Sequence, residues 1–142
     1  YYKSGVDAFM KQARESGKAL TNIHHSDFIG RMDLAYAAAD VVISRSGAST
    51  VSELCAAHKA AIFVPSPNVA EDHQTHNAMA LVRKDAAILV KDSEAQEKLL
   101  PAAIELLADS ERVRSMQENI AKLAKTDAAM TIAEEAYKLI GK

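Results

Sequence analysis

Three short stretches of this chain are apolar at successive positions: Val41-Val42-Ile43, Ala60-Ala61-Ile62-Phe63-Val64 and Ala86-Ala87-Ile88-Leu89-Val90. A strand with one wet face alternates apolar and polar residues. A strand that is apolar on both faces needs cover on both. Segments with helical spacing lie between the runs, so parallel strands joined by helical crossovers account for the whole pattern. The fold class expected is α/β: a Rossmann-like parallel sheet flanked by helices, with a helical C-terminal tail. Strands are expected over 40–44, 60–64 and 86–90. Helices are expected over 6–14, 32–39, 51–58 and 72–84.

Val6, Phe9, Met10 and Ala13 form the inner stripe of the first helix, and Gly17 is its C′ stop. Residues 19–24 form a short mixed stretch that reads as a further strand, with Phe28-Ile29 close behind it. Ala78, Leu81 and Val82 face inward on the helix over 72–84. Beyond Val90 the pattern is helical. A helix over 97–108, with Pro101 near its start, is expected to bury Leu100, Ile104 and Leu107. Asp109 or Ser110 caps the next helix, which presents Val113, Met116, Ile120 and Leu123. Thr126 caps the last, with Ile132, Ala136, Tyr137 and Ile140 on one stripe.

The 142 residues suffice for one domain with a real core. A net charge of -2 implies no general attraction to nucleic acid or to an anionic membrane. The single cysteine, Cys55, excludes an internal disulfide framework, fits a reducing compartment and falls on the apolar side of its helix. No apolar run approaches the ~20 residues that span a bilayer. The chain begins at Tyr1 rather than Met, and residues 1–142 are expected to be one N-terminally truncated domain of a longer protein.

Ligands of open parallel sheets bind at the carboxyl ends of the strands. Two loops leave such ends, Ser44 to Thr50 and Pro65 to Gln74, and are expected to line one crevice. The first is a small-residue turn, Ser44-Arg45-Ser46-Gly47-Ala48-Ser49-Thr50, leading into a helix that carries Glu53. The free N–H groups of a first helical turn bind anions, and Gly47 and Ala48 let a phosphate approach the backbone. A capping box between Thr50 and Glu53 explains the same side chains without a ligand. In the second loop Glu71, Asp72, His73, Gln74 and Asn77 can read sugar hydroxyls. The alternative is that Asp72 caps the helix and the others are solvated. His24 and His25 are adjacent, and His73 and His76 are three apart. Zinc usually needs three or four convergent ligands, often with cysteine, so no metal site is expected.

Taken in order, Phe28-Ile29, Arg45-Ser46-Gly47-Ala48, Glu53 and Asp72-His73-Gln74 are specific. The segments ADVVISRSGASTVSEL and AIFVPSPNVAEDHQTHNA resemble the C-terminal half of the MurG glycosyltransferases. These bacterial enzymes move N-acetylglucosamine from UDP-GlcNAc onto lipid I to make lipid II, the peptidoglycan precursor. The resemblance runs from about Ser26 onward and is strongest from Ala35 to Ala87. It implies the donor-binding domain of a GT-B enzyme, with two Rossmann-like domains about a cleft, inverting transfer and work at the cytoplasmic face of the inner membrane.

The resemblance also implies the donor contacts. The backbone at Ile29, flanked by Phe28 and Met32, reads the uracil. Arg45, Ser46 and Gly47 bind the donor too, and Ala48, Ser49 and Thr50 face the diphosphate. Glu53 accepts from the ribose hydroxyls, and Gln74 with His73 and Asp72 meets the sugar ring. A helix N-terminus can stabilise the diphosphate without a metal, so metal-independent donor binding is expected. The family's Gly-Gly-Ser-x-Gly-Ala loop is absent, and His73 stands where some members have a second glutamine. No residue here is expected to be the catalytic base, and the chain alone is expected to be inactive. A split transferase of the dolichol-pathway kind and a UDP-sugar-binding module without chemistry are the alternatives.

Overall fold

The apolar runs become β1 (Val41–Ser44), β2 (Ala60–Phe63) and β3 (Ala87–Leu89), parallel and ordered β1-β2-β3 in one sheet. Val41 lies opposite Ala60 and Ser44 opposite Phe63, while Phe63 is also opposite Leu89. The computed structural model describes residues 2–17, 21–69 and 72–140. Its helices are α1 (Tyr2–Glu15), α2 (Met32–Ala38), α3 (Ala48–Ala56), α4 (His73–Val82), α5 (Ala95–Ala108), α6 (Ser110–Ala121) and α7 (Ala128–Ile140). Two compact units are present, 1–35 and 36–142.

In the larger unit β2 is buried at every position, as a middle strand covered on both faces must be. Its side chains alternate. Ala61 and Phe63 pack with Leu54 and Cys55 of α3 and Ala78 and Leu81 of α4. Ala60 and Ile62 pack with Ala103 and Leu106 of α5. Helix α6 serves both layers, through Met116 in one and Ile120 in the other. Among the described residues β1 is an edge strand, and its Ile43 is half exposed.

Three sequence expectations change. Helix α5 exposes Leu100, Ile104 and Leu107, at 66, 60 and 53%. The helix carries apolar residues nearly all round, and the stripe that faces the sheet is Leu99-Ala102-Ala103-Leu106. The two alanines allow close approach to the strands, and Pro101 sits inside the helix rather than at its start. Helix α7 begins at Ala128, with Thr131 N–H donating to Asp127 C=O, so Asp127 rather than Thr126 holds the cap position. None of its residues is buried. Asp109 caps α6 as expected, its carboxylate accepting from the Arg112 N–H at 2.9 Å.

In the smaller unit α1 stops before Gly17, whose φ of 70° supplies the left-handed C′ residue. Ala13 is buried there, while Phe9 is exposed. Ala19 and Leu20 of the expected early strand lie outside the described residues, and 21–31 form turns and irregular chain. The Ser26 hydroxyl donates to the Phe28 carbonyl at 2.7 Å. Arg31 pairs with Asp33 and holds its carboxyl below the usual range.

Candidate functional site

The turn after β1 is three residues long, Arg45-Ser46-Gly47. Gly47 is the N-cap of α3, with φ −60° and ψ 149°, and its carbonyl receives the Val51 N–H at 3.0 Å. Thr50 is therefore the third residue of the helix, not its cap, and Glu53 the sixth. The capping box offered as the alternative reading does not form. Among the described residues no side chain caps this end. The amides of Ala48, Ser49 and Thr50 and the positive end of the helix dipole stand at the carboxyl end of the sheet.

Glu53 has a different partner. The Tyr36 hydroxyl, on the last turn of α2, donates to its Oε2 at 3.0 Å. Partial burial, then the bond to Glu53 and the charge on it, push the Tyr36 phenol above its usual pKa. On the same helix Ser52 bonds back to the Ala48 carbonyl at 3.0 Å.

The loops after the strands are tied together. Ser46 is fully buried; its Oγ donates to the Gln74 carbonyl at 2.7 Å. The Ser46 carbonyl accepts from Asn77 Nδ2 at 3.1 Å. Gln74 turns its side-chain oxygen to the Ser66 N–H, 2.8 Å away, which leaves its amide nitrogen as a donor. Arg45 donates to the carbonyls of Val64 and Pro65, at 3.0 and 3.1 Å, and pairs with Asp92. Asp92 opens the 3₁₀ turn after β3. Chain from the ends of all three strands thus meets at Arg45, and the two loops expected to line one crevice are hydrogen-bonded to each other, while the groove beside them is lined from the second loop and from the chain at β3, not from residues 44–50.

Asp72 stands at the N-cap of α4, but its side chain makes no capping bond and its backbone is left-handed, φ 52°. Helix α4 therefore also starts without a side-chain cap. His73 is its first residue and is exposed. Glu71 lies outside the described residues. Asp72, Thr75 and Met79 line a groove of about 490 Å³, opposite Leu89, Lys91 and Asp92. Phe28, Ile29 and Met32 belong to the smaller unit, where they are 84, 47 and 40% exposed. Cys55 is a core residue, as expected, and burial pushes its thiol pKa up. Among the described residues no three His, Cys, Asp or Glu side chains are grouped to hold a metal ion.

Sequence reasoning missed Tyr36 altogether. It lies seventeen residues from Glu53, across a helix–strand–helix connection. The available signal was a lone tyrosine in an alanine-rich helix one turn before a strand.

A parallel sheet whose loops and uncapped helix ends gather at the carboxyl edge is the architecture of an α/β ligand-binding domain. Residues 2–134 match the glycosyltransferase family 28 C-terminal domain, and the chain belongs to that family. It is 54% identical over 134 residues to the UDP-N-acetylglucosamine--N-acetylmuramyl-(pentapeptide) pyrophosphoryl-undecaprenol N-acetylglucosamine transferase of Bacteroides fragilis, covering 92% of this chain and 35% of that one. The transferase of the same name from Bacteroides thetaiotaomicron is 52% identical over 139 residues, covering 98% and 36%. A crystal structure of Acinetobacter baumannii MurG matches with a TM-score of 0.76 at 33% identity, covering 82% of this chain and 33% of that one. The chain spans about a third of the length of these relatives. The architecture is that of the C-terminal half of a GT-B glycosyltransferase.

Proposed function

We propose that this chain is the UDP-GlcNAc-binding domain of a two-domain, inverting GT-B glycosyltransferase. The whole protein would transfer N-acetylglucosamine to lipid I, forming lipid II for peptidoglycan. The observation that carries this reading is the uncapped first turn of α3 at the carboxyl end of β1. It occurs in a chain more than half identical to a transferase whose name states that reaction.

In this reading the amides of Ala48, Ser49 and Thr50 hold the diphosphate, and Gly47 lets it come close. As the sugar leaves, negative charge grows on the nucleotide, and a fixed helix dipole stabilises it without reorganising. Glu53 receives the ribose hydroxyls. The backbone of Ile29, with Phe28 and Met32, takes the uracil. Gln74, through its amide nitrogen, joins His73 and Asp72 at the sugar. Arg45 and Ser46 act by holding the loops in place. The base that deprotonates the acceptor is assigned to no residue of this chain. Among the described residues no helix is long and apolar enough to cross a membrane, and we place the whole protein peripherally on the cytoplasmic face of the inner membrane. No nucleic-acid partner is proposed.

The test is Glu53→Gln in the full-length protein. Loss of a charged acceptor for two hydroxyls should raise the KM for UDP-GlcNAc about ten- to hundredfold. The Tm should barely move, because Glu53 caps nothing. A lowered Tm with an intact KM would remove Glu53 from the donor site. Gln74→Ala should impair use of UDP-GlcNAc yet leave inhibition by UDP nearly unchanged, since UDP lacks the sugar. Donor binding should survive chelation by EDTA; loss restored by a divalent ion would overturn the metal-free reading of the diphosphate site.

A further inference from the structure

We propose that Tyr36 is a positioning residue for the donor: its phenol fixes the Glu53 carboxylate in the orientation that receives the ribose diol. The inference rests on the assignment of Glu53 above and adds what makes that carboxylate selective. Glu53 is exposed on the second turn of α3, with three rotatable bonds and no capping duty. Left alone it would sample many rotamers, and a ligand would have to freeze one. Tyr36 is the rigid partner. Its ring packs on the core cluster that contains Leu54 and Phe63, and its hydroxyl reaches Glu53 Oε2 at 3.0 Å.

The stoichiometry suits a diol. An ionised carboxylate has about four acceptor sites. Tyr36 takes one on Oε2, which leaves Oε1 and a second lone pair of Oε2 for two hydroxyl donors. A phenol donates one proton and so pins the plane of the carboxylate without competing for the rest. A phenol is protonated throughout the neutral range, and burial and Glu53 shift Tyr36 further in that direction, so it remains a donor beside Glu53.

The experiment titrates UDP into full-length wild-type protein, Tyr36→Phe, Glu53→Gln and the double variant, with donor steady-state kinetics alongside. Removing only the hydroxyl should weaken UDP binding about two- to tenfold. The donor KM should rise by the same factor, with kcat and Tm nearly unchanged. The double variant should bind about as well as Glu53→Gln alone, because the two residues act as one unit. With 2′-deoxy-UDP the Tyr36→Phe penalty should shrink, because the diol is gone. Wild-type-like UDP binding by Tyr36→Phe, beside a clear loss in Glu53→Gln, overturns the role of Tyr36 and leaves that of Glu53 standing. Unchanged UDP binding by Glu53→Gln overturns the Glu53 assignment itself, and this inference with it. A fall in Tm and kcat with an unchanged donor KM shows Tyr36 to be merely structural.

Discussion

The hydroxyl of Ser46 donates to the main-chain carbonyl of Gln74 across 2.7 Å, and no part of Ser46 reaches solvent. The turn after β1 and the start of α4 are thereby one object. Ser46→Ala removes the donor and leaves a carbonyl without it, which should cost about 1–3 kcal/mol. Urea denaturation of the full-length protein should show an earlier midpoint, and the KM for UDP-GlcNAc should rise because both ligand loops lose a tie. An unchanged midpoint would mean that the bond is replaced.

Gly47 separates fold from ligand cleanly. A Cβ there would meet only the Thr50 Oγ1, at 4.0 Å, and its φ of −60° is open to alanine. Gly47→Ala should therefore stay within about 1 kcal/mol of wild type in stability. If the diphosphate lies against this turn, the added methyl should weaken UDP about tenfold. Calorimetric titration of UDP beside a thermal melt reads both quantities.

Asp72 holds a left-handed backbone with no compensating capping bond. Aspartate already carries the Cβ penalty of that conformation, so Asp72→Ala should stay within about 1 kcal/mol of wild type. Asp72→Asn should be as stable as wild type, and Asp72→Gly should gain up to about 1 kcal/mol. Transfer assays on those two stable variants then isolate the carboxylate: a raised KM for UDP-GlcNAc supports its contact with the sugar, and unchanged kinetics removes it from the site.

The resemblance counts Arg45 among the donor-binding residues, but its guanidinium donates to two carbonyls and pairs with Asp92. All three contacts leave from one nitrogen, Nη1, which a lysine ammonium replaces only where its shorter stem brings it to the same point. With the pair partly exposed, at 53 and 36%, Arg45→Lys should cost only about 1 kcal/mol. A double-mutant cycle with Asp92→Asn should give a coupling below about 1 kcal/mol, measured by urea midpoint.

Tyr36 and Cys55 both hold their protons more tightly in the folded chain, chiefly through burial. The unfolded chain therefore loses those protons first as pH rises. Stability is complete below the ordinary thiol and phenol values of 9.0 and 10.0, and is lost as pH climbs through the raised folded ones. Denaturation midpoints between about pH 8 and 11 should fall, and Cys55→Ala and Tyr36→Phe should each flatten that slope. A slope identical in both variants would show that other groups carry it.

The sheet was legible because its strands declare burial on both faces: Ala60 and Ile62 go one way, Ala61 and Phe63 the other. The start of α3 was not. A search for side-chain caps picks Thr50, whereas glycine at the cap leaves no side-chain signal. In α5 two stripes of similar hydrophobicity competed, and only the presence of the sheet favours the one with alanines. The site loops were legible as polar and crowded together. Which of those groups serve the chain was not, since Arg45 and Asn77 satisfy main-chain carbonyls with the same donors that a ligand would use. The Tyr36–Glu53 bond was hidden because a contact across a strand leaves no periodicity.

The joining of three loops at Arg45 has a consequence for engineering. Residues in that knot cannot be exchanged one at a time to retune which sugar is accepted, because each change is felt at the diphosphate end too. Thr75 and Met79 line the neighbouring groove without holding the loops together. A library confined to those two positions should alter sugar preference while leaving the grip on the nucleotide as it is.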